Sequence, residues 1–164
     1  MTIAGDEVRV TVTVPVDPAT AFDVFTRETD LWWRRGPQYR VAGRRPGTLC
    51  FEPKLGGRLF EAYESSQGPR THEAGTITRW EPGARLEFDW RGSNFAPGEI
   101  THVSVTFTAT ESGGTRVMLE HRGFAALRPD HPVRHGEAAA VFVGRLAMWW
   151  SGLLTSLRVH ATRD

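Results

Sequence analysis

GTITRWEPGARLEFDW, residues 75–90, decides the fold of this 164-residue chain. It runs as a strand, a Glu81-Pro82-Gly83 turn and a second strand whose apolar residues alternate strictly. Ala84, Leu86, Phe88 and Trp90 share one face, and Arg85, Glu87 and Asp89 take the other. A period of two behind turn residues predicts an antiparallel strand with one face on a core.

The same pattern extends in both directions. Downstream, residues 101–109 place Val103, Val105, Phe107 and Ala109 on one side, and Ser112-Gly113-Gly114 turns the chain back through residues 116–121, with Val117, Leu119 and His121 together. Upstream, strands are expected at residues 49–53, at 58–64 after Gly56-Gly57, and at 71–80 after a Ser-Ser-Gln-Gly-Pro turn. A first strand alternates through Val8, Val10, Val12 and Val14. Asp17-Pro18 then supplies a cap and a first-turn proline for a short helix burying Ala21, Phe22 and Phe25. A second short piece, helical or irregular, carries Leu31, Trp32 and Trp33, and residues 34–47 turn to Arg, Gly and Pro, the composition of a loop.

The last third is helical. Asp130-His131-Pro132 offers a cap, and Glu137 suits the positive end of the dipole. Phe142, Leu146, Trp149, Leu153 and Leu157 recur at steps of three or four as an apolar stripe, opposite Gly144, Met148, Ser151, Thr155 and Arg158. Some 25 helical residues would be roughly 38 Å long, enough to cross a sheet diagonally. Strand, two short helices, six strands and a long helix make an α+β two-layer domain, expected to be one unit over residues 1–164.

Bulk properties narrow the function. The net charge of +1 gives no electrostatic case for nucleic acid. The first residues carry no secretory pattern, and no apolar run approaches the roughly 20 residues that cross a bilayer, so a cytoplasmic protein that does not enter membranes is expected. Cys50 is the single cysteine, which excludes an internal disulfide and any multi-cysteine metal site; within Leu49-Cys50-Phe51 it is expected to be a buried residue rather than a nucleophile. Lys54 is the lone lysine, a compositional bias toward arginine and not a phosphate signature.

With these elements placed, the chain resembles a known family. Gly75-x-Ile77, Trp80-Glu81-Pro82, Arg85-Leu86-x-Phe88 and Trp90 look like the signature of the SRPBCC (START-like) superfamily, and within it of homologues of the activator of heat-shock-protein-90 ATPase, many of them bacterial single-domain proteins. Trp32-Trp33, Gly56-Gly57-Arg58, Gly114-Thr115-x-Val117, Leu119-Glu120-His121-x-Gly123-Phe124 and the final helix with Trp149-Trp150, Leu154 and Leu157 agree. The resemblance implies the helix-grip fold, a curved antiparallel sheet wrapped around the C-terminal helix and enclosing an apolar cavity. Two departures stand out: Ala74 occupies a position where the family often has an aromatic, and Trp149-Trp150 replaces a usual Gly-Trp pair.

The expected ligand-binding set is Trp32, Phe88, Trp90, Val105, Phe107, Leu119 and His121 facing Phe142, Leu146, Trp149 and Leu153. Six tryptophans can line a pocket for a flat or lipidic molecule, or can simply fill a core. His121 and Glu61 are the polar candidates, as an acid–base pair or as a structural hydrogen-bonded pair. Arg34, Arg35, Arg40, Arg44 and Arg45 form a basic loop without an acidic residue, either steering an anionic ligand or acidic partner or lying solvated at the surface. His131-x-x-x-His135 with Glu137 mimics a metal spacing but straddles Pro132, so no metal is assigned. Gly-rich phosphate loops, the Gly-x-Ser-x-Gly elbow and His-Glu-x-x-His are absent.

The reading that follows is a protein binding a hydrophobic small molecule in an internal cavity, without a cofactor. Its rivals are a module stimulating a heat-shock-protein-90-type chaperone and a cyclase- or hydrolase-like enzyme using His121 and Glu61. An exposed edge strand at residues 49–53 would offer a homodimer contact.

Overall fold

A computed structural model of the chain describes residues 7–128, 131–132 and 139–163. The elements follow the expected order: β1 (Glu7–Val14), α1 (Pro18–Arg27), α2 (Thr29–Trp32), β2 (Gly47–Phe51), β3 (Arg58–Ser65), β4 (Gly68–Glu81), β5 (Arg85–Trp90), β6 (Thr101–Ala109), β7 (Thr115–Arg122), a single 3-10 turn (Phe124–Ala126) and α3 (Ala139–Thr162). The strands form one antiparallel sheet in the order β1-β7-β6-β5-β4-β3-β2. The sheet curls around α3, giving the helix-grip α+β architecture.

Local chemistry accounts for these elements. Glu81 to Ala84 close a turn with Pro82 second and Gly83 third, at φ 77°, and the Ala84 N–H donates to the Glu81 carbonyl at 2.9 Å. Proline presets the second position of such a turn and glycine accepts the positive φ of the third. Asp17 caps α1, its Oδ1 accepting from the Thr20 N–H at 2.8 Å, with Pro18 at the first turn. Leu86, Phe88, Val103, Val105, Phe107, Val117 and Leu119 all point inward from β5, β6 and β7. Phe22 joins α1 to the sheet edge-on, its centroid 5.2 Å from Phe107 and 4.9 Å from Trp80.

The buried face of α3 is wider than the expected stripe. Phe142, Leu146, Leu153 and Leu157 are buried as anticipated, but Trp150 and Leu154 join them, while Trp149 is only half-buried and leans toward the loop after α2. The curled sheet embraces more than one row of side chains, so of two adjacent tryptophans it takes the second. Asp130, His135 and Glu137, and with them the expected cap and the mimic of a metal spacing, lie outside the described residues.

Gly75 and Gly57 are the tightest of several steric requirements for glycine. A Cβ on Gly75 would lie 1.6 Å from the Asp89 carbonyl oxygen, where β4 passes over the end of β5. A Cβ on Gly57 would lie 2.1 Å from the Glu52 oxygen. At the other end of the sheet, β2 is an edge strand and stops at Phe51 rather than Pro53. Its outer side is not bare, because the Leu49 N–H donates to Oδ1 of Asp30 in α2 at 2.9 Å.

Candidate functional site

The loop between α2 and β2 looks irregular by composition but is tied down residue by residue. The Gly36 N–H meets the Gly43 carbonyl at 3.2 Å and closes its base. Inside, the Trp149 indole donates to the Gln38 carbonyl at 2.8 Å, and the Trp33 indole to the Tyr39 carbonyl at 3.0 Å. The Glu61 carboxylate, buried on β3, accepts the Val41 N–H at 2.9 Å and the Ala42 N–H at 2.6 Å. Arg40 is buried too: its guanidinium donates to Asp30 Oδ1 at 2.5 Å and to the carbonyls of Asp30, Trp33 and Arg34.

This corrects the picture of a basic steering loop. Arg40 and Arg35 both pair with Asp30, the latter at 2.9 Å, so the acidic partner comes from α2 and not from the loop itself. Burial raises the Asp30 pKa, but hydrogen bonds from Arg40 and the Leu49 N–H, with the charges of Arg40 and Arg35, outweigh it and hold the carboxyl below its ordinary value. Arg34 lies over the Tyr39 ring at 5.8 Å, and Arg44 and Arg45 are exposed.

Under this strap lies a cleft of about 180 Å³. Its walls are aromatic: Trp33 and Trp90 stack at 6.0 Å and 19°, Tyr39 and Trp149 at 5.6 Å and 28°, and Trp149 meets Trp90 edge-on at 6.0 Å. Gly92, Ser93 and Asn94 form the opposite rim, and Ala74 lines the cleft too, so the small residue at that position leaves space that a larger side chain would fill. That rim is braced by Arg91, whose guanidinium holds the carbonyls of Phe95, Ala96 and Glu99.

Two polar side chains stand in this aromatic frame. Glu61 on β3 and His72 on β4 are direct cross-strand partners, and both line the cleft. His72 Nε2 lies 3.1 Å from the Arg91 carbonyl, an acceptor only, so Nε2 carries the proton and neutral His72 has its lone pair on Nδ1. Among the described residues, nothing engages that Nδ1.

His121 is not part of the pair. It sits in the core, where the Trp150 indole donates to Nδ1 at 3.0 Å and Nε2 meets Thr101 Oγ1 at 2.7 Å. Both ring nitrogens are committed, and the Thr101 hydroxyl donates its own hydrogen bond to the Trp90 carbonyl at 3.1 Å. Burial, with a smaller contribution from the charge of His102, pushes the His121 pKa down to about 3. A His121–Glu61 acid–base pair is therefore replaced by two separate arrangements: a neutral structural histidine in the core, and Glu61 facing His72 at the cleft.

The other anticipated ligand-binding residues divide in the same way. Trp90 and Trp149 line the cleft. Trp32, Phe88, Val105, Phe107, Leu119, Phe142, Leu146 and Leu153 are buried in the core cluster and do not border it. Trp33, Tyr39 and His72 were not among the anticipated residues. Cys50 is half-buried, and burial first, then the charge of Asp30, pushes its thiol up and away from reactivity. His131 is buried against Phe95 and lies 3.2 Å from Glu99 Oε1. No cluster of three or more metal-type ligands occurs among the described residues, nor is any helix there long and apolar enough to cross a membrane.

Fold and cleft together define a helix-grip domain with an aromatic-walled, strap-covered opening. The chain belongs to the family described as Activator of Hsp90 ATPase homolog 1-like protein, whose pattern matches residues 15–147. No match was found among curated proteins. Similar solved structures include protein MLL2253 from Mesorhizobium loti, 19% identical over 96% of this chain and 99% of that one, with a TM-score of 0.62. PFC0360w, an HSP90 activator from Plasmodium falciparum, is 16% identical with 94% of each chain covered and a TM-score of 0.61. Txn09, an anthrahydroquino-gamma-pyrone synthase complexed with SUM, is 27% identical over 96% of this chain and 99% of that one, with a TM-score of 0.56.

Proposed function

We propose that this protein binds a small, flat aromatic molecule in the cleft beneath the 36–43 strap. The observation that carries the reading is the combination of stacked tryptophan and tyrosine walls with two polar side chains, Glu61 and His72, between them. Apolar walls with a few convergent polar groups are the usual composition of a ligand site. A volume of about 180 Å³ lies below the roughly 300–1,000 Å³ of drug-sized sites, which favours one or two rings over a lipid. The 27% identical relative is a synthase named for a fused aromatic product, which agrees in ligand class.

Calorimetric titration with planar aromatics such as coumarin, naphthol and para-nitrophenol, set against decanoate, tests this. Saturable binding of an aromatic, absent for decanoate and weakened in Trp149→Ala, supports the reading. Folded protein that takes up none of the aromatics overturns it.

A second reading, a module acting on a chaperone of the heat-shock-protein-90 type, is supported by the family description and by the Plasmodium relative. Its test is the chaperone's ATPase rate with and without this protein; an unchanged rate and no co-purification reject it.

A further inference from the structure

We propose that the cleft is a proton-transfer site, in which Nδ1 of His72 accepts the proton of an acidic hydroxyl, a phenol or enol, on the bound ring system. This inference rests on the aromatic-ligand reading above and names the group by which the ligand is recognised.

The tautomer is fixed by a neighbour. Because the Arg91 carbonyl holds Nε2–H at 3.1 Å, the basic nitrogen of His72 is Nδ1, and the backbone bond persists whether or not Nδ1 is protonated. The titratable side chains that border the cleft are Tyr39, Arg40, Glu61 and His72. Arg40 is directed into Asp30 and three carbonyls, so it offers little compensation to a ligand that arrives already anionic. Glu61 is buried and would repel such a ligand. A neutral ring bearing an O–H meets neither obstacle.

Transfer is balanced within the pair. The ligand O–H bond breaks, an N–H bond forms at Nδ1, and the products are a phenolate or enolate and a His72 imidazolium. The imidazolium is flanked by the new oxyanion on one side and by the Glu61 carboxylate directly across the β3–β4 ladder, where paired side chains stand about 5 Å apart at Cβ. His121 cannot substitute, since protonating its Nδ1 would break the bond from Trp150 inside the core.

The experiment uses the full chain and para-nitrophenol, whose phenolate is yellow and whose phenol is not, in buffer at the pH where the free compound is half ionised. Tryptophan quenching reports occupancy, and the yellow band reports ionisation of what is bound. The expected result is a bound phenolate-to-phenol ratio on the order of tenfold higher in the wild type than in His72→Gln, which keeps a donor for the Arg91 carbonyl but has no basic nitrogen. Para-nitroanisole, of similar shape without an O–H, should bind several-fold more weakly than the phenol. Equal ratios in wild type and variant overturn the proton-acceptor role and leave the binding reading standing. No quenching by any concentration of the phenol overturns both. If His72→Gln does not fold, the wild type decides alone: a bound ligand no more ionised than the free one rejects the proposal.

Discussion

Trp150 donates its indole N–H to Nδ1 of His121, 3.0 Å away, and so holds in place an imidazole that burial keeps neutral. A nitrogen that accepts cannot also carry a proton, so folding selects the neutral imidazole. The folded pKa of about 3 lies below the ordinary 6.5, and between those values the unfolded chain binds more protons than the folded one. Stability from His121 is thus fully present above the unfolded pKa and is lost as pH falls toward about 3, with a slope of up to about 1.4 kcal/mol per pH unit. Urea midpoints measured from pH 7 down to pH 5, above the range where carboxylates titrate, should decline in the wild type and decline less in His121→Gln, whose stability at neutral pH is lower.

Asp30 holds three donors at once: Arg40, Arg35 and the Leu49 N–H. Asp30→Ala would leave the buried Arg40 guanidinium without its anion and the outer side of β2 without its cap. The expected loss is roughly 3 kcal/mol by urea unfolding, far more than a surface ion pair contributes. Arg35→Ala, which removes only the exposed member, should cost under about 1 kcal/mol.

Gly75→Ala places a methyl carbon on the Asp89 backbone, which has no flexible end to move aside. Separation of β4 from β5 should follow, with a loss of at least about 3 kcal/mol or failure to fold. Gly144→Ala is the matched control: a Cβ there meets nothing within 4 Å, and an exposed helical glycine gains roughly 0.5–1 kcal/mol on conversion to alanine.

Trp149 is both a wall of the cleft and an anchor of the strap. Trp149→Ala should weaken binding of a planar aromatic on the order of tenfold while costing only about 1–2 kcal/mol of stability, because the residue is half-buried. Trp149→Phe keeps the ring and loses the N–H, so affinity should fall less than in the alanine variant. Calorimetry on the two variants separates the wall from the anchor.

The strand and helix order was legible in the sequence because it rests on local periodicity: Leu86, Phe88 and Trp90 alternate whatever lies opposite them. The site was half legible. Trp90, Trp149 and Glu61 were within reach of pattern reasoning, but His72 depends on register. That register was recoverable: a two-residue turn, Ser66-Gln67, pairs Ser65 with Gly68, and stepping outward along the hairpin brings Glu61 opposite His72. Placing the following strand only from residue 71 hid the pair. Trp33 and Trp150 were hidden for another reason. Trp149 and Trp150 are adjacent, and which of the two turns to the core is decided by the packing of α3 against the curled sheet. Trp32 and Trp33 are both buried, and only contacts with distant elements bring Trp33 to the cleft. The role of Arg40 was likewise invisible, since its partner Asp30 belongs to a different element.

The crowding of indoles has an optical consequence. Trp33, Trp90, Trp149 and Trp150 all lie within about 6 Å of one another, at interplanar angles from 19° to 85°. Chromophores this close couple their electronic transitions, so the folded chain carries an intrinsic exciton signature in circular dichroism that unfolding abolishes. Since two of the four rings face the strap and one is buried beside His121, that signature would register occupancy of the cleft and integrity of the core together. The protein is, in effect, its own spectroscopic reporter, needing no label.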